Sequence, residues 1–396
     1  MDRAIPEALL AQADTFVALR RDLHRHPELG FQELRTSALV AEKLTQWGYA
    51  VTRGLGGTGV VGQLRRGAGT RRLGLRADMD ALPITEATGL PHASCHAGLM
   101  HACGHDGHTA MLLAAAHHLA HHGQFSGTLN LIFQPAEEGL GGARKMMDDG
   151  LFQRFPCDAL FAMHNMPGHP PGHLLFRTGA FMASSENITI TLHGVGGHGA
   201  MPHHSADPVV AGSAIVLGLQ SIVARNVPPL QMAVITVGAF QAGEANNVIP
   251  QTATLKLSVR SLDRGVRELL NRRIRELVEA QAQSYGVRAE VDFRGGYPVL
   301  VNTPAETEFA RQVGRELVGD AQVTEQAEPL TGSEDFAFML EDVPGSYLLI
   351  GNGDAATGGH GACMVHNPGY DFEDRNIAVG SAYWVRLAER YLVDPT

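Results

Sequence analysis

Three short apolar runs in the first half of the chain stop abruptly at residues able to bind a metal or move a proton. Residues 129–133 run into Gln134, Pro135, Ala136, Glu137 and Glu138; residues 73–75 lead to Arg76, Asp78 and Asp80; residues 159–163 end at His164 and Asn165. Runs of this length, rich in β-forming side chains and cut off by turn signals, predict buried strands. Open α/β sheets place their ligands at the carboxyl ends of such strands. Residues 58–64 read as a further strand. Helical spacing predicts helices over 16–47, broken near His26 and Pro27, and over 106–122, where Gly123 takes the position after the helix end. Strands alternating with helices imply a mostly parallel sheet covered on both faces.

Past residue 184 the pattern changes. Residues 187–192 alternate as a strand, 207–224 are helical, 232–237 and 253–259 are strand-like, 263–284 are helical and 287–293 form a last strand. The order β-α-β-β-α-β is that of a ferredoxin-like split unit. The first texture returns with an apolar strand over 346–350 and a helix over 376–391. The expected fold is therefore α/β: a mostly parallel-sheet domain over 1–183 and 297–396, interrupted by an inserted ferredoxin-like α+β domain over 184–296.

Bulk properties narrow the function. A chain of 396 residues exceeds the size at which a single core keeps growing, which favours two domains. The formal charge of −10, with no basic run interleaved with aromatics, argues against a nucleic-acid partner and for a small molecule. The start of the chain lacks a charged-then-apolar leader, and no apolar stretch is expected to reach the ~18 to 20 residues that span a bilayer. A cytoplasmic location and no membrane partner are expected. Cys95, Cys103, Cys157 and Cys363 are too sparse for a disulfide framework and read as thiols.

The chemistry concentrates in 101–108, where His101, Cys103, His105, Asp106 and His108 crowd together. Borderline divalent metals accept sulfur, nitrogen and oxygen donors together, and a thiolate can bridge two of them. A doubled glutamate divides labour: one carboxylate holds a metal while its neighbour takes a proton from an attacking water. His198 stands among glycines that permit close approach of backbone or substrate, which suits an oxyanion donor. Asn247 and Arg260 read equally as binding residues or as ordinary turn and strand-end residues. His117, His118, His121 and His122 read as a solvated stripe opposite Leu112, Leu113, Ala116 and Leu119.

Taken together, segments 21–28, 76–83, 101–108, 134–139, 196–203, 247–250, 332–336 and 366–372 resemble the M20 metallopeptidase family. More narrowly, they resemble its amidohydrolase branch of hippurate, N-acyl-amino-acid and indole-acetyl-amino-acid hydrolases. The resemblance implies a zinc-peptidase-like catalytic domain with a lid and dimerisation insert. It implies two divalent ions (Mn, Zn, Ni or Co) held by Cys103, His105, Glu138, His164 and His366, with Glu137 as general acid/base and Asp80 as a supporting carboxylate. It also implies a homodimer or homotetramer in which His198 and Asn247 reach a partner's site. Arg260 is a candidate for the substrate's α-carboxylate. Where the broader family carries a histidine two residues before the aspartate this chain has Asp78, and where it carries a bridging aspartate this chain has Cys103. The branch shares both departures. The expected activity is hydrolysis of N-acyl or N-aroyl amino acids; the rivals are a metallo-dipeptidase or carboxypeptidase of the same fold, a metal-free amidase using Cys103 as nucleophile, and a non-catalytic metal-containing binding protein.

Overall fold

The three apolar runs that end in polar residues form adjacent parallel strands. Arg72–Asp78 lies between Gly127–Gln134 and Ala159–Pro167, with Leu73 opposite both Leu129 and Ala159, so the three carboxyl ends emerge together. Gly345–Gly353 continues the sheet in parallel beyond Ala159–Pro167. These four strands are buried almost throughout, which is why their sequences read as continuous apolar runs.

The sheet is mixed at its flanks. Ala50–Leu55 and Gly59–Arg66 form a hairpin and join the Gly127–Gln134 edge antiparallel. The hairpin turn uses Gly56 and Gly57 at φ 64° and 89°, a region other residues rarely adopt. On the other flank, Leu174–Leu175 runs antiparallel to Gly345–Gly353, and Val323–Thr324 pairs with it in parallel. Helix His105–His121 is buried along nearly its whole length and packs against the final helix Asn376–Tyr391. Their approach leaves no room for a side chain at Gly380, where a Cβ would sit 2.1 Å from Met111 Sδ.

That packing corrects the histidine stripe. His118 is buried and His117 is half-buried beside the rings of Phe16 and Trp47; only His121 and His122 face solvent. A helix buried on all sides has no polar face to predict.

The computed structural model describes residues 5–393. The chain divides into two compact units: one holds the sheet above and comprises the chain up to Gly179, Val301–Glu328 and the chain from Phe338 onward; the other comprises Ala180–Leu300 and Pro329–Ala337. The stretch Pro329–Ala337 lies outside the 184–296 span expected for the insert.

The second unit is a four-stranded antiparallel sheet in the order Ala233–Ala242, Thr252–Ser261, Ser184–His193, Arg288–Phe293. Helices Pro208–Asn226 and Arg264–Ser284 pack on it through Ile215, Leu219, Leu270 and Ile274 against Ile188, Ile190 and Leu192. Each helix starts at an aspartate cap: Asp207 accepts from the Val209 N–H and Asp263 from the Val266 N–H. Helix Pro208–Asn226 also corrects an expectation, because its 19 residues are long and apolar enough to cross a membrane. It serves instead as a core helix of this unit, burying Ala211, Ile215, Leu219 and Ile222.

Buried ions anchor the first unit. Arg20, fully buried on helix Ala13–Arg25, pairs with Asp106 at 2.8 Å and with Asp371, and His24 Nδ1 lies 2.9 Å from Asp106 Oδ2. Burial alone would lower the His24 pKa, but its hydrogen bonds to Asp106 and Glu86 outweigh that and raise it to about 9. A group raised on folding gives its full stabilisation below its unfolded pKa of ~6.5 and loses it as pH rises through the folded value. Between pH 6.5 and 9.5 the wild-type chain should therefore lose up to ~3 kcal/mol of stability that His24→Gln does not lose. Chemical denaturation across that window checks it, and parallel pH profiles for the two proteins would refute the assignment.

Candidate metal centre

Strand ends and one helix start deliver the candidate ligands. Asp78 ends one strand and Asp80 follows it, Glu137 and Glu138 follow its neighbour, and His164 lies on the third. Cys103 and His105 flank Gly104 at the mouth of helix His105–His121. Gly104 adopts φ 94°, and a Cβ there would lie 2.0 Å from Asn165 Oδ1, so only glycine lets the loop pass this closely. Ala136 and His366 adopt φ 54° and 64°, the left-handed region that costs a non-glycine residue ~1 to 2 kcal/mol. The His366 turn is held by its own N–H donating to Ala102 O at 2.7 Å, one residue before Cys103.

These elements bring Cys103, His105, Glu138, His164 and His366 into one cluster. Donor atoms of Cys103, His105 and His164 lie within 4.8 Å of one another, and so do those of Cys103, Glu138 and His366. The two triads share the Cys103 sulfur. Glu137 joins His105 and Glu138 in a third grouping of the same size. Within the cluster Cys103 Sγ is 3.3 Å from His164 Nε2, and Glu138 Oε1 is 3.1 Å from His366 Nε2.

Hydrogen bonds set which nitrogen each imidazole offers. His164 Nδ1 donates to Asn165 O at 2.6 Å, leaving Nε2 turned to Cys103. His105 Nδ1 donates to Asp80 Oδ1 at 3.1 Å, and its buried Nε2 has no hydrogen-bond partner. The second Asp80 oxygen accepts the Glu138 N–H at 2.9 Å. Asp80 thus orients one ligand by its ring and another by its backbone, the role carboxylates play behind metal ligands.

Electrostatics suits the cluster to a cation. Burial raises the Cys103 thiol well above its ordinary pKa, and Glu138, Glu137 and Asp78 raise it further. Burial would lower His105, but Asp78, Asp80 and Glu138 outweigh it and bring it to about 10. Negative charge is therefore in excess, and protons on Cys103 and His105 offset it. A divalent cation would displace both protons and could take His105 Nε2, which makes no hydrogen bond and lies 3.7 Å from Asp78 Oδ2, as a ligand, so this set of sulfur, nitrogen and oxygen donors fits borderline metals.

Beneath the cluster runs a buried polar chain that the sequence did not reveal. Tyr370 Oη accepts from Asn165 Nδ2 at 2.6 Å, Asn165 Oδ1 lies 2.7 Å from His108 Nε2, and His108 Nδ1 lies 2.6 Å from Asp78 Oδ1. The other Asp78 oxygen takes Arg76 Nη1 at 2.6 Å, and Arg76 Nε donates to Gln134 at 2.9 Å. With both oxygens engaged, Asp78 braces the strand ends. Its members come from five separate segments, so no local spacing marks them.

The remaining site candidates belong to the second unit. Gly197–His198 pairs with Val248–Ile249, and the Gly199 N–H donates to Asn247 O at 2.8 Å, which brings His198 and Asn247 together on exposed backbone. The Ala200 N–H donates to His198 Nδ1 at 3.0 Å, so Nε2 carries the proton and is available to donate. Arg260 is half-buried on strand Thr252–Ser261, with Nη1 donating to Ser333 Oγ at 2.8 Å.

Comparison with known proteins gives this geometry its class. The model of peptidase family M20/M25/M40 matches residues 74–390. The chain is 44% identical to the hippurate hydrolase of Campylobacter jejuni over 98% of its own length and 99% of that protein's. It is 39% identical to the IAA-amino acid hydrolase ILR1-like 2 of Arabidopsis thaliana over 96% and 85% of the two chains. The crystal structure of the Bacillus subtilis YXEP protein, described as a dinuclear metal binding peptidase of family M20, superposes with a TM-score of 0.81 at 33% identity, covering 96% and 99%. The chain belongs to peptidase family M20/M25/M40. Within it, this is a metal-dependent amide hydrolase of the amidohydrolase branch.

The Asp80 geometry yields a direct test. Asparagine keeps the shape but offers one acceptor, so its amide group must face either the His105 N–H or the Glu138 N–H. Asp80→Asn should weaken divalent-metal affinity by ~10- to 100-fold, read by equilibrium dialysis. Wild-type affinity would show that Asp80 does not orient the ligands.

Proposed function

We propose that the chain hydrolyses the amide bond of N-acyl and N-aroyl amino acids such as hippurate, releasing a carboxylic acid and a free amino acid. The observation that carries this reading is the pair of donor triads sharing Cys103 with Glu137 beside them, because a structural metal site needs no such adjoining carboxylate. Full-length similarity to a hippurate hydrolase supports the substrate class.

In this reading Cys103, His105, His164, Glu138 and His366 would hold two divalent ions; Zn, Mn, Ni and Co all suit the donor set. When bound, such ions polarise the amide carbonyl and make water more acidic. Glu137 takes the proton of the attacking water and returns it to the leaving nitrogen, which would otherwise depart as a highly basic amide anion. Asp80 keeps His105 and Glu138 in place. His198 donates its Nε2–H to the developing oxyanion, Asn247 supports the same loop, and Arg260 pairs with the α-carboxylate of the amino-acid half.

The assembly that fits is a homodimer of a cytoplasmic enzyme, alone or within a homotetramer. In the second unit Val210 and Leu217 of helix Pro208–Asn226 are 50% and 75% exposed, and Leu230 is fully exposed. Strand Ala233–Ala242 is an edge of its sheet. An apolar helix face beside an open strand edge suits an isologous contact with a second copy. His198 then acts on the substrate held by the partner.

Two experiments test the mechanism. Hippurate hydrolysis should vanish on exhaustive chelation and return with divalent metal, and Glu137→Gln should lower kcat by ~10²- to 10⁴-fold with metal content near normal. Retained kcat would remove Glu137 as the base, loss of metal would make it a ligand, and a preference for dipeptides over N-acyl amino acids would overturn the substrate class.

The second experiment mixes His198→Ala with Glu137→Gln subunits. If His198 acts across the dimer, hybrids hold one site with both groups intact and should regain activity. Mixtures no more active than their parents would place His198 in its own subunit's site.

A further inference from the structure

The residues flanking Glu137 are gripped by two buried carboxylates, only one of which belongs to the recognised site. Asp80 accepts the N–H of Glu138 on one side. On the other side the N–H of Ala136 donates to Glu33 Oε1 at 2.8 Å. Glu33 is fully buried, and its second oxygen accepts from Thr58 Oγ1 at 2.6 Å.

Glu33 sits at the position that precedes helix Leu34–Gln46, yet its side chain makes no bond to that helix. Glu28 serves the helix instead, accepting the N–H groups of Arg35 and Thr36 at 2.9 and 2.8 Å. The Glu33 carboxylate is thus committed to Ala136, the residue held in the left-handed region at φ 54°.

The segment that carries Glu33 is shaped for this reach. Phe31 also lies in the left-handed region, at φ 63°, two residues before Glu33. Gly30 approaches so closely that a Cβ there would lie 3.0 Å from the Ala136 Cα. The same segment is tied to the Asp80 turn, because the Ala81 N–H donates to Glu28 O at 2.8 Å. Strain at Ala136, and at Phe31 two residues before its partner Glu33, persists only where the surroundings over-determine it, and such strain gathers at functional sites.

We propose that Glu33 is a positioning residue for the reaction: by clamping the Ala136 N–H it holds the strained turn that aims Glu137, as Asp80 holds the other side. The inference rests on the reading of Glu137 as the acid/base. Burial raises the Glu33 pKa, with the nearby Asp80 charge adding to the rise, while the bonds from Thr58 and Ala136 act the other way.

The test compares Glu33→Asp, Glu33→Gln and Thr58→Val in the metal-loaded enzyme. Aspartate is one methylene too short to reach both Thr58 and Ala136, so kcat per metal-loaded site should fall by ~10- to 100-fold, with KM within ~2-fold of wild type. Glutamine keeps the length and one acceptor for the Ala136 N–H, and its amide can donate to the Thr58 hydroxyl; it should restore kcat to within ~3-fold of wild type. Thr58→Val releases one oxygen and should lower kcat in the direction of aspartate, by less; it carries the test if the aspartate variant does not fold. Hydrogen exchange over 136–142 in the same proteins gives a readout besides activity: faster in Glu33→Asp and Thr58→Val, unchanged in Glu33→Gln. A lower melting temperature with wild-type kcat and wild-type exchange over 136–142 would make Glu33 merely structural and overturn the proposal. If Glu137→Gln keeps its kcat, the acid/base reading fails, and the exchange data still decide whether Glu33 holds the turn.

Discussion

Asp80 is the point on which the site depends, because one buried carboxylate sets two groups that come from different parts of the chain. Its Oδ1 fixes the ring of His105, and its Oδ2 fixes the backbone of Glu138. Neither could be placed by its own element alone. Helix His105–His121 fixes where the His105 backbone lies but not the rotation of its ring, and the 136–138 turn leaves helical geometry at Glu138. An aspartate at the end of a central strand supplies both constraints from the stiffest part of the fold. The imidazole it orients donates Nδ1–H to the carboxylate and so directs Nε2 to the cluster.

The same arrangement concentrates negative charge, part of which fixed cations balance: Arg76 against Asp78, and Arg20 with His24 against Asp106 and Asp371. These pairs are nearly inaccessible to solvent, and removing one partner would leave an uncompensated buried charge. His105 and Cys103 are equally buried, and the carboxylates around them raise the pKa of both. The distinction between a structural ion network and a metal site thus lies in which carboxylates already have a permanent cation.

Much of this was legible in the sequence because buried parallel strands need unbroken apolar runs, and three such runs ended at the groups that now meet. The insert's β-α-β-β-α-β order was equally legible from its alternation. Strand Ala50–Leu55 was not, since an edge strand with mostly accessible side chains carries little periodic signal. The chain Tyr370–Asn165–His108–Asp78–Arg76–Gln134 was hidden for another reason: several of its members stood out singly, but only folding joins the five segments they come from. Glu33 was quieter still, since it falls within the run 16–47 read as helical, and its distant partner, the Ala136 N–H, leaves no mark on a sequence.

Strain shows how these levels connect. Among the described residues only Phe31, Ala136 and His366 combine a side chain with a left-handed backbone. Ala136 adjoins Glu137, His366 belongs to the cluster, and Phe31 shapes the loop that reaches Ala136 through Glu33. A glycine at these places would adopt the same φ without penalty, but it would also open other conformations to the turn. A side chain forced into this region has fewer alternatives, so the hydrogen bonds that hold it restrict the turn further than they would restrict a glycine. Reduced stability at three points therefore narrows the range of positions open to the carboxylate and the imidazole, and positional precision of that kind is what proton transfer between fixed groups requires.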